Sequence, residues 1–320
     1  PKAEAKQLRD WAEQLRAEKD QAAGVAFALG NQVSQLVEAY PDKRFASLYH
    51  RTLLMEAERK KALFSTWYEF FPRSASPEPG RHGTFKDCEA LLPRISEMGF
   101  DTIYLPPIHP IGTSNRKGAN NSVTSKPGEP GSPWAIGAAE GGHKSIHPEL
   151  GTVADFVSFV KKAKEFNIEI ALDVALQCSP DHPYVKEHPK WFRWRPDGTV
   201  QYAENPPKKY QDVLPINFEN EDWQNLWREL KSIFEYWIDK GVYMFRVDNP
   251  HTKSFVFWQW CIEEIRRDHP DAIFLAEAFT RPRVMEQLAK IGFNQSYTYY
   301  TWRNTQAEIK QYMNELTKTD

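Results

Sequence analysis

Two carboxylates stand at the ends of short apolar runs and are the residues most able to do chemistry. Asp248 follows Phe245-Arg246-Val247, and Glu277 follows Phe274-Leu275-Ala276. The end of an apolar strand is where a parallel β/α barrel places its catalytic side chains. A pair of such carboxylates is typical of glycosyl chemistry.

The spacing of the pair favours one barrel repeat. Asp248 and Glu277 are about 30 residues apart, the length of a strand-helix-strand unit, and residues 254–268 between them have helical apolar spacing. Arg246 and Asp248 alternate to the same strand face, where the guanidinium favours the ionised carboxylate. Glu277 follows a more apolar run, which favours its protonated form. Taken singly, the Arg-x-Asp sequence also fits a structural ion pair, and Glu277 also fits a helix cap.

The elements that must position these residues change character near residue 62. Residues 1–61 are predicted to be a helical domain, with helices over 1–20 and 31–60. Residues 62–320 alternate strand and helix and predict a partial (β/α)8-type barrel with six strands. A long loop over 111–150 and an inserted subdomain over 177–220, after the third strand, interrupt the alternation.

Composition excludes several classes of function. The chain has 320 residues, of which 41% are hydrophobic and 26% charged, so it can bury a substantial core. The formal net charge of −2 gives no global field for nucleic acid or an anionic membrane. The 11 Trp and 13 Tyr suit a carbohydrate-facing surface, although most of them also fit a core. A cytoplasmic enzyme is the simplest expectation.

Long motifs extend around the two carboxylates. They are GGH at 141–143, DVALQC at 173–178, AENPPKKY at 203–210, FRVDNPHTK at 245–253 and FLAEAFTRP at 274–282. Asp173, Arg246-x-Asp248 and Glu277 resemble the α-amylase superfamily, glycoside hydrolase family 13. The longer motifs resemble the bacterial maltose-1-phosphate maltosyltransferases, because Gln177-Cys178 stands where common amylases carry Asn-His. The resemblance covers essentially the whole chain.

The resemblance implies a retaining transfer of maltosyl from α-maltose 1-phosphate to the non-reducing end of an α-1,4-glucan. Asp248 would be the nucleophile, Glu277 the acid and base, and Arg246 the residue that orients Asp248. Retention requires the two carboxyl groups to lie about 5 to 5.5 Å apart.

The resemblance also implies substrate contacts. Phosphate would be bound by Asn205, Lys208, Tyr210 and Asn249, since amide, hydroxyl and lysine donors suit a dianion. Without the resemblance, Lys208-Lys209 is better interpreted as a solvated charge pair. Sugar contacts are expected at Lys117, Gln177 and His143, with Asp173 supporting the site. No His spacing typical of a metal motif is present, so no metal and no cofactor are expected.

Family members carry a third carboxylate after the seventh strand and further β domains. We therefore expect this chain to be a fragment of a longer enzyme, with that carboxylate outside it, and the full-length form to be a homodimer. Two other functions stay open: a hydrolase or transglycosylase of the same superfamily, and a non-catalytic glucan-binding protein.

Overall fold

The computed structural model describes residues 2–53, 55–205 and 207–318, and the chain divides into two compact units after Ala57. The sequence placed this division after Lys61. Each unit is described by itself below.

The first unit contains three helices, Lys2–Ala17, Gln21–Ala28 and Asn31–Ala39. The edge of the Trp11 ring packs against Phe27, with ring centroids 6.2 Å apart. The prediction of a helix over 31–60 is wrong beyond Ala39, and the described residues from 40 to 59 are irregular. Pro41 explains the early end, because proline lacks the N–H of a helical bond and disfavours helix at the residue before it.

The second unit is built on a sheet of six parallel strands, each paired with its sequence neighbours. These barrel strands, numbered first to sixth in the text, are Trp67–Glu69, Thr102–Leu105, Glu169–Val174, Met244–Val247, Ile273–Ala276 and Gln295–Ser296. The sequence prediction of six barrel strands is confirmed. Their order and direction are those of an incomplete TIM barrel.

Amphipathic helices connect the barrel strands and cover their outer face. They are Phe85–Glu97, Val153–Glu165, Trp223–Asp239, Phe255–Asp268 and Pro282–Lys290, and Gln306–Lys318 follows the sixth strand. Thr84 and Thr152 begin the first two with capping boxes, in which a Thr side chain and an Asp three residues later satisfy free backbone N–H groups. Of all helices in the described ranges, none is long and apolar enough to cross a membrane.

Short strands organise the insertion that follows the third barrel strand. Gln177–Cys178 pairs antiparallel with Leu214–Pro215, which brings the two ends of the insertion together. Ala203–Asn205 and Lys208–Tyr210 form a second antiparallel pair. The insertion therefore returns to the barrel rim beside the residue at which it left.

The fourth and fifth barrel strands rest on a cluster of buried phenylalanines. Phe234 lies with its ring centroid 5.1 Å from Phe245 and 5.6 Å from Phe274, and the latter two are 5.8 Å apart. All three side chains are fully buried. Since Phe245 and Phe274 lie three residues before Asp248 and Glu277, this packing fixes the strands that carry both carboxylates.

Replacing Phe274 by alanine should lower the free energy of unfolding by about 3 to 5 kcal/mol, because it leaves a cavity among packed rings. Chemical denaturation would measure the loss, with Val256→Ala as the control, since Val256 is 68% exposed on a neighbouring helix. A loss below about 1 kcal/mol in Phe274→Ala would contradict this account of the core.

Candidate active site

A cavity of about 820 Å³ opens at the carboxyl ends of the barrel strands. A pocket of this size is in the range that holds a small organic ligand. Eight of the residues predicted from the sequence line it: Lys117, Gln177, Asn205, Tyr210, Arg246, Asp248, Asn249 and Glu277. The remaining three predicted residues, Asp173, His143 and Lys208, do not line it, and each is considered below.

Arg246 joins three carboxylates from three neighbouring strands. Its Nη1 lies 2.7 Å from Asp173 Oδ2 and 3.0 Å from Asp248 Oδ1, and its Nη2 lies 2.8 Å from Glu277 Oε1. The side chain of Arg246 is only 9% exposed. The sequence predicted the contact of Arg246 with Asp248. It did not predict the contacts with Asp173 and Glu277, which depend on the register of the neighbouring strands.

Two tyrosines hold the guanidinium in place. Its carbon lies 5.8 Å from the ring centroids of both Tyr104 and Tyr297, within the range of a cation–π contact. Burial alone would lower the pKa of Arg246, but the negative charge of Asp173 and of the other two carboxylates outweighs burial and raises that pKa. Arg246 therefore remains a cation in the site.

Asp173 lies beneath the cavity and supports it from below. Its carboxylate is 1% exposed and accepts hydrogen bonds from the Tyr104 hydroxyl, from Arg246 and, at 3.4 Å, from the Trp134 indole N–H. Burial raises the pKa of Asp173 to about 7, although the charge of Arg246 opposes this shift. These contacts fit the supporting role expected for Asp173 from the sequence, since it holds Arg246 and does not line the cavity.

Glu277 has the environment of a general acid. Burial raises its pKa to about 7, with Arg246 opposing the shift and the charge of Asp248 adding to it. The direction is the one that the apolar run before Glu277 predicted. The backbone N–H of Asn249 donates to Glu277 Oε2 at 3.2 Å. Asn249 can reach it because its φ of 42° turns the chain left-handed directly after the nucleophile candidate, a conformation that asparagine tolerates.

The charge of Asp248 is one reason that Glu277 holds its proton. It adds to burial in raising the pKa of Glu277, and the two carboxyl groups contact the same Arg246 guanidinium at 3.0 Å and 2.8 Å. Two neighbouring ionised carboxylates would repel each other, which favours a proton on one of them. The separation of about 5 to 5.5 Å that retention requires stays a prediction.

His251 and Lys253 were not among the predicted site residues. The His251 ring is half-buried, and burial and the charge of Lys253 lower its pKa while the charge of Asp248 opposes this shift. Lys253 lines the cavity beside Asp248 and donates to Thr252 Oγ1 at 2.9 Å and to the Asn249 carbonyl at 3.4 Å. Their position in the motif that contains Asp248 was the available signal, but only the short helical turn Pro250–Thr252 directs them toward the site.

The insertion and the long loop supply the predicted phosphate and sugar contacts. Tyr210 is half-buried, and Lys117 is buried with its ammonium donating to the Lys209 carbonyl at 3.3 Å and to Gln211. Lys208 is exposed and lies outside the cavity lining. The role of Lys208 in phosphate binding therefore stays a prediction.

His143 is a buried structural residue. Its Nε2 donates to the Ala175 carbonyl at 2.9 Å, and its Nδ1 lies 3.1 Å from His182 Nε2. Burial lowers the pKa of His143 to about 4, so the ring is neutral near pH 7. Both ring nitrogens of His143 have protein partners, so the expected sugar contact is not formed. His143 instead holds the segment that leads to Gln177.

One group of side chains in the described ranges could hold a metal ion. His82, His147 and Glu149 have ligand atoms within 4.8 Å of one another. None of the three lines the cavity of about 820 Å³ that contains Asp248 and Glu277, called the catalytic cavity below.

Comparison with known proteins gives close relatives by sequence. The chain is 61% identical over 298 residues to an alpha-1,4-glucan:maltose-1-phosphate maltosyltransferase of Chlorobaculum tepidum, which covers 93% of this chain and 44% of that protein. It is 60% identical over 314 residues to the protein of the same name from Methylacidiphilum infernorum, with 98% and 47% covered. The chain is a homologue of these maltosyltransferases. It spans about half the length of the curated relatives it matches, and no family model matches it.

Solved structures place the fold among the α-amylases. An α-amylase from Lactobacillus plantarum is 25% identical with a TM-score of 0.62, over 82% of this chain and 61% of that one. A maltogenic α-amylase from Thermotoga neapolitana is 26% identical with a TM-score of 0.63, over 79% and 55%. These similarities agree with the incomplete barrel described above.

Replacing Arg246 by lysine should lower kcat/KM for a reaction catalysed at this site by at least about 100-fold. Arg246 contacts the three carboxylates through two nitrogens of a planar guanidinium, whereas a lysine ammonium has a single nitrogen. Steady-state kinetics would measure the loss, and Arg228→Lys, at an exposed position, is the matched control. Activity within about twofold of the unsubstituted protein would refute the organising role of Arg246.

The pKa of Glu277 predicts how transfer depends on pH. Because the pKa is raised to about 7, Glu277 is a protonated acid below that pH and loses its proton above it. We expect kcat/KM for the donor to fall as pH rises above about 7. In Glu277→Gln, which cannot titrate, the remaining activity should lack this alkaline fall. If the variant shows the same fall in kcat/KM above about pH 7, a residue other than Glu277 causes that fall.

Proposed function

We propose that the protein transfers a maltosyl group from α-maltose 1-phosphate to the non-reducing 4-hydroxyl of an α-1,4-glucan. The observation that carries this proposal is the identity of 61% to a protein named as such a maltosyltransferase. The site supports it, because Asp248 and Glu277 contact one guanidinium in the cavity and the pKa of Glu277 is raised to about 7, as suits a general acid. Such a pair can separate nucleophile from acid.

The reaction would proceed in two displacements with net retention. In the first, an Asp248 oxygen attacks the anomeric carbon, the bond from that carbon to the phosphate oxygen breaks, and the Glu277 proton goes to the departing phosphate. In the second, the acceptor 4-hydroxyl attacks the same carbon, the bond to Asp248 breaks, and the Glu277 carboxylate takes the hydroxyl proton. Arg246 would hold both carboxylates in position throughout.

Recognition of the donor would use the residues that line the cavity. Asn205, Tyr210 and Asn249 offer amide and hydroxyl donors to the phosphate, and Lys117 and Gln177 face the same space for sugar hydroxyls. The first unit would be the helical domain of the enzyme, and the enzyme would be a cytoplasmic homodimer.

The α-amylase neighbours make a hydrolase the main competing function. The two reactions differ in the group that attacks the glycosyl intermediate, which is a sugar hydroxyl in transfer and water in hydrolysis. The products therefore discriminate them.

Incubation with α-maltose 1-phosphate and maltohexaose should release inorganic phosphate and lengthen the acceptor by two glucose units. Phosphate assay and mass spectrometry would follow the two products. Asp248→Ala should lower the rate by at least about 1,000-fold, as loss of a nucleophile does. Free maltose without elongation would indicate a hydrolase, and glucan binding without turnover would indicate a binding protein.

A further inference from the structure

A second cavity adjoins the catalytic one and has the opposite charge. This side cavity has a volume of about 520 Å³ and shares Gln201, Pro215, Ile216, Thr252 and Lys253 with the lining of the catalytic cavity. Because five residues line both spaces, the two cavities are adjacent. Lys253 stands at their junction.

The lining of the catalytic cavity carries more carboxylates than cations. Among the described residues it includes the carboxylates of Glu69, Glu204, Asp212, Asp248 and Glu277, against the cations Lys117, Arg246 and Lys253. Arg246 is already paired with three carboxylates, and the Lys117 ammonium is covered by Lys209 and Gln211. When phosphate leaves, Asp248 is an uncharged glycosyl ester but Glu277 has lost its proton, so four lining carboxylates remain near the released anion.

The side cavity attracts the same dianion. Arg193 and Arg195 line it together with Lys253, and Glu219 is the carboxylate on that lining. In the described part of the chain, Lys253 forms no ion pair, and its hydrogen bonds go to the neutral oxygens of Thr252 and Asn249. Burial lowers the pKa of Lys253 and the charges of Asp248 and Glu277 oppose this shift, so an anion bound beside its ammonium would further favour the charged form. Arg195 donates to Gln201, which keeps its guanidinium at the shared wall.

We propose that the side cavity is a second phosphate-binding site, in which Lys253, Arg193 and Arg195 receive the phosphate released from the donor. The proposal deepens the proposed function and rests on it, since it takes phosphate to be the leaving group. A dianion moves from a negatively to a positively charged region without an external driving force. Transfer of phosphate into the side cavity clears the space beside Asp248 for the acceptor hydroxyl.

Binding of inorganic phosphate to the purified protein tests this site without any turnover. Calorimetric titration at constant ionic strength, with chloride as the compensating anion, should show phosphate binding that Arg193→Gln/Arg195→Gln weakens by about tenfold, as expected for partly exposed charge-assisted contacts. Lys253→Met should weaken it as well. Arg228→Gln, an exposed arginine elsewhere on the barrel, should bind as the unsubstituted protein does.

A second comparison separates this site from the reaction centre. Asn205→Ala/Tyr210→Phe should leave phosphate binding to the side cavity in place. Phosphate affinity unchanged in both the arginine double variant and Lys253→Met, or equal competition by chloride, would overturn the proposal. If phosphate binds in an arginine-dependent way but α-maltose 1-phosphate is not turned over, the proposed function fails while the binding site stands.

Discussion

The site depends on one guanidinium shared by three carboxylates. Arg246 contacts Asp173, Asp248 and Glu277, which come from three adjacent strands, at distances of 2.7 to 3.0 Å. Buried ions are costly to leave unpaired, so each of the four groups stabilises the position of the others. The cluster therefore ties the register of the third, fourth and fifth strands to the geometry of the two reacting groups.

Packing beneath the cluster makes that geometry rigid. The Phe234, Phe245 and Phe274 rings lock the fourth and fifth strands from the outer face of the sheet. On the third strand, the neutral rings of His143 and His182 support the Ala175 carbonyl just before Gln177. The polar side chains that line the cavity are thus held in place by buried residues that lie behind them.

The distribution of charge gives the two cavities different roles, with bond cleavage in one and binding of the released phosphate in the other. Burial and the nearby Asp248 charge raise the pKa of Glu277 to about 7, which a proton donor near neutral pH requires. After the bond breaks, the other carboxylates that line the catalytic cavity disfavour retention of the phosphate. The side cavity lined by Arg193, Arg195 and Lys253 gives the released anion a destination.

The sequence by itself determined the strand-ending carboxylates Asp248 and Glu277, the six-strand parallel order and the same-face placement of Arg246, because strand alternation and βα spacing are local properties. It also determined that an apolar surrounding would favour the proton on Glu277. Only the tertiary structure decided that His143 is buried, that Lys208 lies outside the cavity and that Lys253 lies inside it. Those placements depend on the path of the 177–220 insertion and on the turn at Asn249, which arise from contacts between residues far apart in the chain. The helix that ends at Ala39 is a case where a local property of the sequence misled the prediction. The apolar spacing continues past Pro41, but the backbone cannot continue the helix there.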